Sequence, residues 1–145
     1  METAILASAK ALSDFPSTRN VDAVLSFFAE RFTGVDNGLE TDIESQRELL
    51  LDLEDQIRMG VPVRISLRAS AIRVHLAGPF AWATYDYGFR VGAGSESGDE
   101  EQGKCSSVLV KRKSSWLLLH EHCSSLCPGE EEEEPIEEEA DEDRA

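Results

Sequence analysis

Residues Trp116–Ser125 read WLLLHEHCSS, and upstream of them Ala81–Phe89 read AWATYDYGF. Both stretches alternate with the two-residue period of a half-buried strand. In the later one, Leu117, Leu119 and Glu121 oppose Trp116, Leu118, His120 and His122. In the earlier one, Ala83, Tyr85 and Tyr87 take one side, while Trp82, Thr84 and Asp86 take the other. A strand pair of this kind requires partners on both sides, and the neighbouring sequence supplies them.

From Val63 the apolar residues Val63, Ile65 and Leu67 alternate with Arg64, Ser66 and Arg68. The apolar phase then moves to Ile72, Val74 and Leu76, which predicts a bulge near Ala69–Ala71. Gly78-Pro79 turns the chain into the next strand, expected over Phe80–Arg90. A polar loop over residues 92–103 leads to a strand over Cys105–Arg112, and Lys113-Ser114-Ser115 turns into Trp116.

The N-terminal half has a different period. Ile5, Ala9 and Leu12 fall on one face of a helix expected over residues 2–13, which Pro16 ends. Asn20 is a plausible N-cap for a second helix, in which Val21, Val24, Leu25, Phe28 and Phe32 follow the 3.6-residue spacing up to Gly34. Val35–Gly38 reads as a loop. A third helix begins at a Thr41/Glu44 capping box, carries Ile43, Leu50, Leu53 and Ile57 as a stripe, and stops at Gly60 and Pro62. Helices first and an antiparallel meander afterwards define an α+β protein.

The 145 residues carry a net charge of −15, and that charge is unevenly placed. From Pro128 onward eleven acidic residues and one Arg hold −10 of it, leaving −5 for residues 1–127. The chain therefore divides into a folded domain over 1–127 and an acidic tail over 128–145. With Ile136 as its one large apolar residue, the tail cannot offset its own ordering entropy and is expected to be disordered, or to serve as a contact for a basic partner. No basic stripe marks a nucleic-acid footprint, and no apolar run is long enough to cross a membrane. The N-terminus lacks the pattern of a signal peptide, so a cytoplasmic protein is expected.

Cys105, Cys123 and Cys127 form an odd set without CxxC spacing, and reduced, buried thiols are the expectation. His120, His122, Cys123 and Cys127 lie close in sequence, but on a strand the two histidines face away from Cys123. No metal centre and no cofactor are expected.

Three helices followed by a strongly bent sheet is the order of the nuclear-transport-factor-2-like superfamily, and several stretches resemble it. VDAVLSFFAERF (Val21–Phe32) is similar to the family's second helix, and GPFAWATYDY (Gly78–Tyr87) to its Gly-x-x-Ala-Trp-Ala-x-Tyr strand. WLLLHEHCSS resembles the terminal Trp-x-Ile-x-His-x-His-x-Ser strand of the SnoaL-like and ketosteroid-isomerase-like branch near the calmodulin-dependent kinase association domain. The likeness covers about residues 4–126. It departs in the Lys-Ser-Ser turn before Trp116, where the family prefers an Asp-Gly type, and at Leu117, where a polar residue is common.

The resemblance implies a cone, in which a curved antiparallel sheet wraps around N-terminal helices to enclose an apolar pocket, with an outer face that commonly forms a homodimer. It also implies that Tyr85, Tyr87, Ser107 and Glu121 face the concave side, where they would bind a small organic ligand. Burial would raise the pKa of Glu121 and make it the candidate catalytic acid or base. Asp22 and Asp36 read as helix-boundary residues. Steroid-type isomerisation needs a carboxylate base and an acid pair; no second buried acid is signalled, so no reaction is assigned. An isomerase, cyclase or hydrolase and a pure oligomerisation module are the alternatives.

Overall fold

In the computed structural model of the chain, residues 1–93 and 98–126 are described. Cys127 and the acidic 128–145 segment lie outside the described residues. Helix α1 (Glu2–Thr18) is followed by a short α2 (Val21–Leu25), strands β1 (Phe28–Asp36) and β2 (Leu39–Asp42), and helix α3 (Ile43–Arg58). Strands β3 (Val63–Ala77), β4 (Phe80–Ala93), β5 (Glu101–Arg112) and β6 (Ser115–Ser125) complete one sheet in the order β2-β1-β6-β5-β4-β3. The sheet is curved and open, the helices sit in its concavity, and the class is α+β as the sequence implies.

Two features of the N-terminal half depart from the sequence expectation. The second helix stops at Leu25, and Phe28–Asp36 is a strand. Its buried residues Ala29, Phe32 and Gly34 are unevenly spaced, because the register shifts between Phe28 and Thr33. Phe28 and Phe32, four apart in sequence, share a face on a strand as well as on a helix, so that spacing does not separate the two. The loop over Val35–Gly38 is in fact a hairpin: Asn37 and Gly38 both have positive φ, as a primed two-residue turn requires. The sheet is also mixed rather than wholly antiparallel, since β1 runs parallel to β6, pairing Thr33 with His120 and Asp36 with Cys123.

Smaller differences concern helix ends. Pro16 is accommodated inside α1, which continues to Thr18 and closes on a left-handed Arg19 whose N–H bonds the Phe15 carbonyl. Helix α3 is capped by Asp42, which accepts from the Ser45 N–H at 2.9 Å, one residue later than the expected Thr41 cap. Asn20 caps α2 as expected, accepting from Ala23 N–H.

Curvature comes from two bulges. In β3 the register shifts between Ser70 and Arg73, where Ala71 has φ 54°, so two residues stand opposite Tyr85. This is the bulge that the phase change predicts. In β6 Leu119 is the extra residue, since Val108 pairs with His120 and Leu109 with Leu118. The β6 bulge corrects the simple alternation: Leu118 turns inward with Glu121 and Cys123, and it is buried. The inner face of the sheet holds Ala83, Tyr85, Tyr87, Cys105, Leu109 and Leu118, packed against Ile5 and Phe32. A second cluster of Phe15, Val24, Leu25 and Leu50 ties the three helices together. Helix α1 also caps the exposed edge of β3, where the Leu67 N–H donates to Ser13 Oγ at 2.9 Å.

The cysteine expectation is overturned. Cys105 and Cys123 stand directly opposite on β5 and β6 and are joined by a disulfide. Unpatterned spacing cannot reveal such a pair, because the register that brings the two together is set by the β5–β6 turn. The bond closes a loop between residues 18 apart, so chain entropy assigns it about 3 kcal/mol. Replacing both cysteines by Ala is expected to lower unfolding stability by about 2–4 kcal/mol in urea titration, with the native circular dichroism retained.

Candidate functional site

The concave sheet face and the helices line a partly open hollow of about 290 Å³. Ala9 and Leu12 of α1, Phe28 and Phe32 of β1, Leu67 of β3 and Phe89 of β4 form much of its wall. These residues come from elements far apart in sequence, so the hollow exists only once the sheet has curled. Its polar groups come from several elements, Gln46 of α3 and Arg68 of β3 among them, and those that bond one another at one point lie on β4, β5 and β6.

At the base, Ala83 pairs with Ser107, Ser107 with Glu121, and Tyr85 with Cys105. This register puts Tyr85, Ser107 and Glu121 side by side on the inner face. The Tyr85 hydroxyl donates to Glu121 Oε2, and the Ser107 hydroxyl donates to the same oxygen at 3.1 Å. Tyr85 Oη and Ser107 Oγ lie 3.3 Å apart. Ser107 is 1% exposed, a buried polar residue whose hydroxyl is satisfied within this triad. Tyr85 and Glu121 line the cavity; Ser107 supports them from behind.

Burial raises the Glu121 pKa, and the two donated hydrogen bonds only partly oppose the shift. Burial also raises Tyr85, reinforced by the neighbouring carboxylate. Tyr85 therefore remains a phenol that donates, and the carboxyl is the titrating member. The possibility that Glu121 simply pairs with a basic neighbour is not what the geometry provides, since its partners are two hydroxyls.

A second polar group lies farther along the same wall. Tyr87 Oη donates to Glu101 at 2.7 Å, and Asn37 Nδ2 donates to Glu101 at 3.2 Å. Asp36, at the end of β1, also lines the cavity. Its pKa is raised by partial desolvation and then by the Glu101 charge. Tyr87 is raised by burial first and by Glu101 next. Gly103 stands opposite Tyr87, and a Cβ there would lie 2.7 Å from the phenol ring and 2.2 Å from the Ser124 carbonyl oxygen. Glycine at this position is what lets the ring lie across β5.

All four residues expected on the concave face are therefore there. Asp36 and Glu101 are additions. Asp36 reads as a helix-boundary residue only if β1 is taken for a helix, and Glu101 falls in what reads as a loop. The Asn37-Gly38 pair, a strong hairpin signal, is the feature that identifies β1 as a strand and Asp36 as its end. Asp36 is exposed and Glu101 half-buried, so neither supplies the second buried acid that steroid-type isomerisation needs. His120 Nδ1 meets the Thr33 hydroxyl at 2.9 Å, away from Cys123, so the histidines and Cys123 do not assemble a site.

The raised carboxyl has a consequence for stability. Between the ordinary value of 4.5 and its higher folded value, the folded chain holds a proton on Glu121 that the unfolded chain has lost. Its contribution is complete at lower pH and declines as pH rises through that window. Glu121→Gln, which stays neutral, is expected to flatten that decline. The check is urea unfolding of both proteins from about pH 4.5 upward, with the variant gaining on the wild type as pH rises.

The chain's sequence matches the SnoaL-like domain over residues 5–128. No curated protein matches it. Among solved structures, the fold is similar to the β subunit of benzoate 1,2-dioxygenase from Burkholderia mallei, with TM-score 0.73 and 9% identity over 86% of this chain and 87% of that one. A candidate Ca/calmodulin-dependent kinase II association domain from Exiguobacterium sibiricum gives TM-score 0.69 and 16% identity over 88% and 91%. An NTF2-like protein of unknown function from Pseudomonas putida gives 0.62 and 17% over 85% and 82%. Identities this low speak for the fold alone. The domain match spans most of the chain, and its residues include the whole curled sheet: the protein belongs to the SnoaL-like family.

Proposed function

We propose that the protein binds a small organic molecule in the cone, with its apolar body against the aromatic wall and a polar group at the hydroxyl–carboxyl end. The observation that carries this reading is the Tyr85–Ser107–Glu121 triad in a hollow whose wall is largely apolar. Ligand sites characteristically combine an apolar lining with a few convergent polar groups. At about 290 Å³ the cavity suits a compact ligand. Tyr85 and Tyr87 orient the ligand, Glu121 accepts from it, and Ser107 holds Glu121 in place.

The test is native mass spectrometry of the purified protein together with a thermal-shift screen of compact aromatic and alicyclic molecules. A ligand found in this way should lose at least about tenfold in affinity on Tyr87→Ala, or roughly 1.4 kcal/mol. Unchanged affinity would overturn the reading.

Catalysis is the second reading, and the specific observation favouring it is a buried carboxyl with a raised pKa beside a phenol. Glu121 would move a proton as general acid or base in an isomerase, cyclase or hydrolase, and Tyr85 would donate to developing negative charge. Glu121→Gln should then abolish turnover while leaving ligand affinity largely intact.

A homodimer is proposed through the outer sheet face. Trp82 is 48% and Leu76 66% exposed there, with His75 stacked on Trp82. Similarity to a candidate association domain supports assembly. Trp82→Arg is expected to shift sedimentation from dimer to monomer. If the protein is purely an oligomerisation module, Tyr87→Ala would alter neither mass nor any ligand response. Among the described residues no helix is long and apolar enough to cross a membrane; in the cytoplasm proposed for the protein, the Cys105–Cys123 bond would be exposed to reduction.

A further inference from the structure

The inner face of β5 and β6 brings two cysteines, which ligand binding does not use, beside Glu121. Cys105 and Cys123 face each other across the two strands, and Glu121 lies two residues before Cys123 on the same side. Their two sulfurs and a carboxylate oxygen all lie within 4.8 Å of one another. All three residues line the cavity. Two donors spaced i, i+2 on one strand with a third directly across the ladder present three ligand atoms to one point, since alternate side chains share a face.

We propose that Cys105, Cys123 and Glu121 form a thiol-gated site for a zinc-type divalent cation, closed while the disulfide is formed and open once it is reduced. The gating step is a two-electron exchange. A dithiol reductant breaks the sulfur–sulfur bond and becomes a disulfide, and its two hydrogens leave Cys105 and Cys123 as thiols. Metal binding then releases both thiol protons, and the carboxyl proton wherever Glu121 holds one, to solvent, so the ligands are two thiolates and one carboxylate.

The donor set selects the ion. Two thiolates with one carboxylate suit zinc, whereas calcium and magnesium require oxygen shells. Zinc sits about 2.3 Å from sulfur and about 2.0–2.2 Å from a carboxylate oxygen. Donors at the observed separation reach such an ion once the sulfurs are released and the Glu121 side chain rotates. Tyr85 and Ser107 both bond Glu121 Oε2, which leaves Oε1 as the oxygen to offer the metal. These hydroxyls then act as the supporting shell that orients a metal ligand. Three protein ligands facing a cavity leave the fourth position for water or a bound molecule. The set is distinct from the His120, His122, Cys123 and Cys127 group, whose histidines point to the other face.

The site does not require an organic ligand, so it stands or falls separately from the binding reading. The test uses full-length Cys127→Ser protein, reduced with a dithiol that is removed under nitrogen, and titrated with Co(II). One equivalent should produce thiolate-to-cobalt charge-transfer absorption in the near ultraviolet, which Zn(II) abolishes by displacement. The oxidised protein and Cys105→Ser should lack that band, and Glu121→Gln should weaken Co(II) binding by about tenfold or more. Should reduction unfold the chain, zinc is expected to restore native circular dichroism. Absence of the band in reduced, folded protein would overturn the proposal. So would equal binding by the oxidised form, unchanged affinity in Glu121→Gln, or failure of zinc to refold a reduced, unfolded chain.

Discussion

The curl of the sheet depends on two extra residues. A regular ladder would let β3 and β6 run on without a bend, and its side chains would keep a strict two-residue rhythm. At Ala71–Ile72 and at Leu119 one strand carries a residue more than its partner, so each bends locally and changes phase. The change at Leu119 is what puts Leu118, Glu121 and Cys123 on one side of β6. Without it, either the apolar Leu118 or the polar Glu121 would leave the interior. The first bulge lies opposite Tyr85, one member of the triad.

Placing a carboxyl among apolar walls is costly unless it is bonded. Here the cost is divided between protonation and hydroxyl donors: the Glu121 pKa rises, and Tyr85 and Ser107 donate to what charge remains. Tyr87 and Asn37 do the same for Glu101 nearer the opening. The wall is thus acidic but internally satisfied, and any molecule entering must offer a group able to replace these partners or bridge them. That restricts ligands more by their polar end than by their shape.

Much of this was legible in the sequence where one physical signal dominated. Strands β4 and β6 announce themselves because half-buried strands alternate, and the Ile72 phase shift exposes the β3 bulge because only an extra residue produces it. The inward set Tyr85, Tyr87, Ser107 and Glu121 follows from family likeness, alternation adding only that Tyr85 and Tyr87 share a side. What escaped depends on tertiary register. Phe28 and Phe32 look helical because a spacing of four fits a helix face and a strand face alike; Leu118 looks outward-facing because its bulge has no local marker. Cys105 and Cys123 read as separate thiols because only the hairpin register makes them opposite. Asp36 and Glu101 meet at the cavity from positions that sequence alone leaves unconnected.

The parallel pairing of β1 with β6 has a consequence for the order of assembly. Strands β3 to β6 are joined by successive hairpins and can zip in sequence, but β1 has no inner neighbour until β6 is made. Thr33 must find His120 across most of the domain, the kind of distant contact that slows folding. On a ribosome, the early helices and the β1–β2 hairpin would therefore wait with Phe28, Ala29 and Phe32 uncovered until almost the whole domain has emerged. The hollow is the last feature of the molecule to come into being, completed only when the final strand is in place.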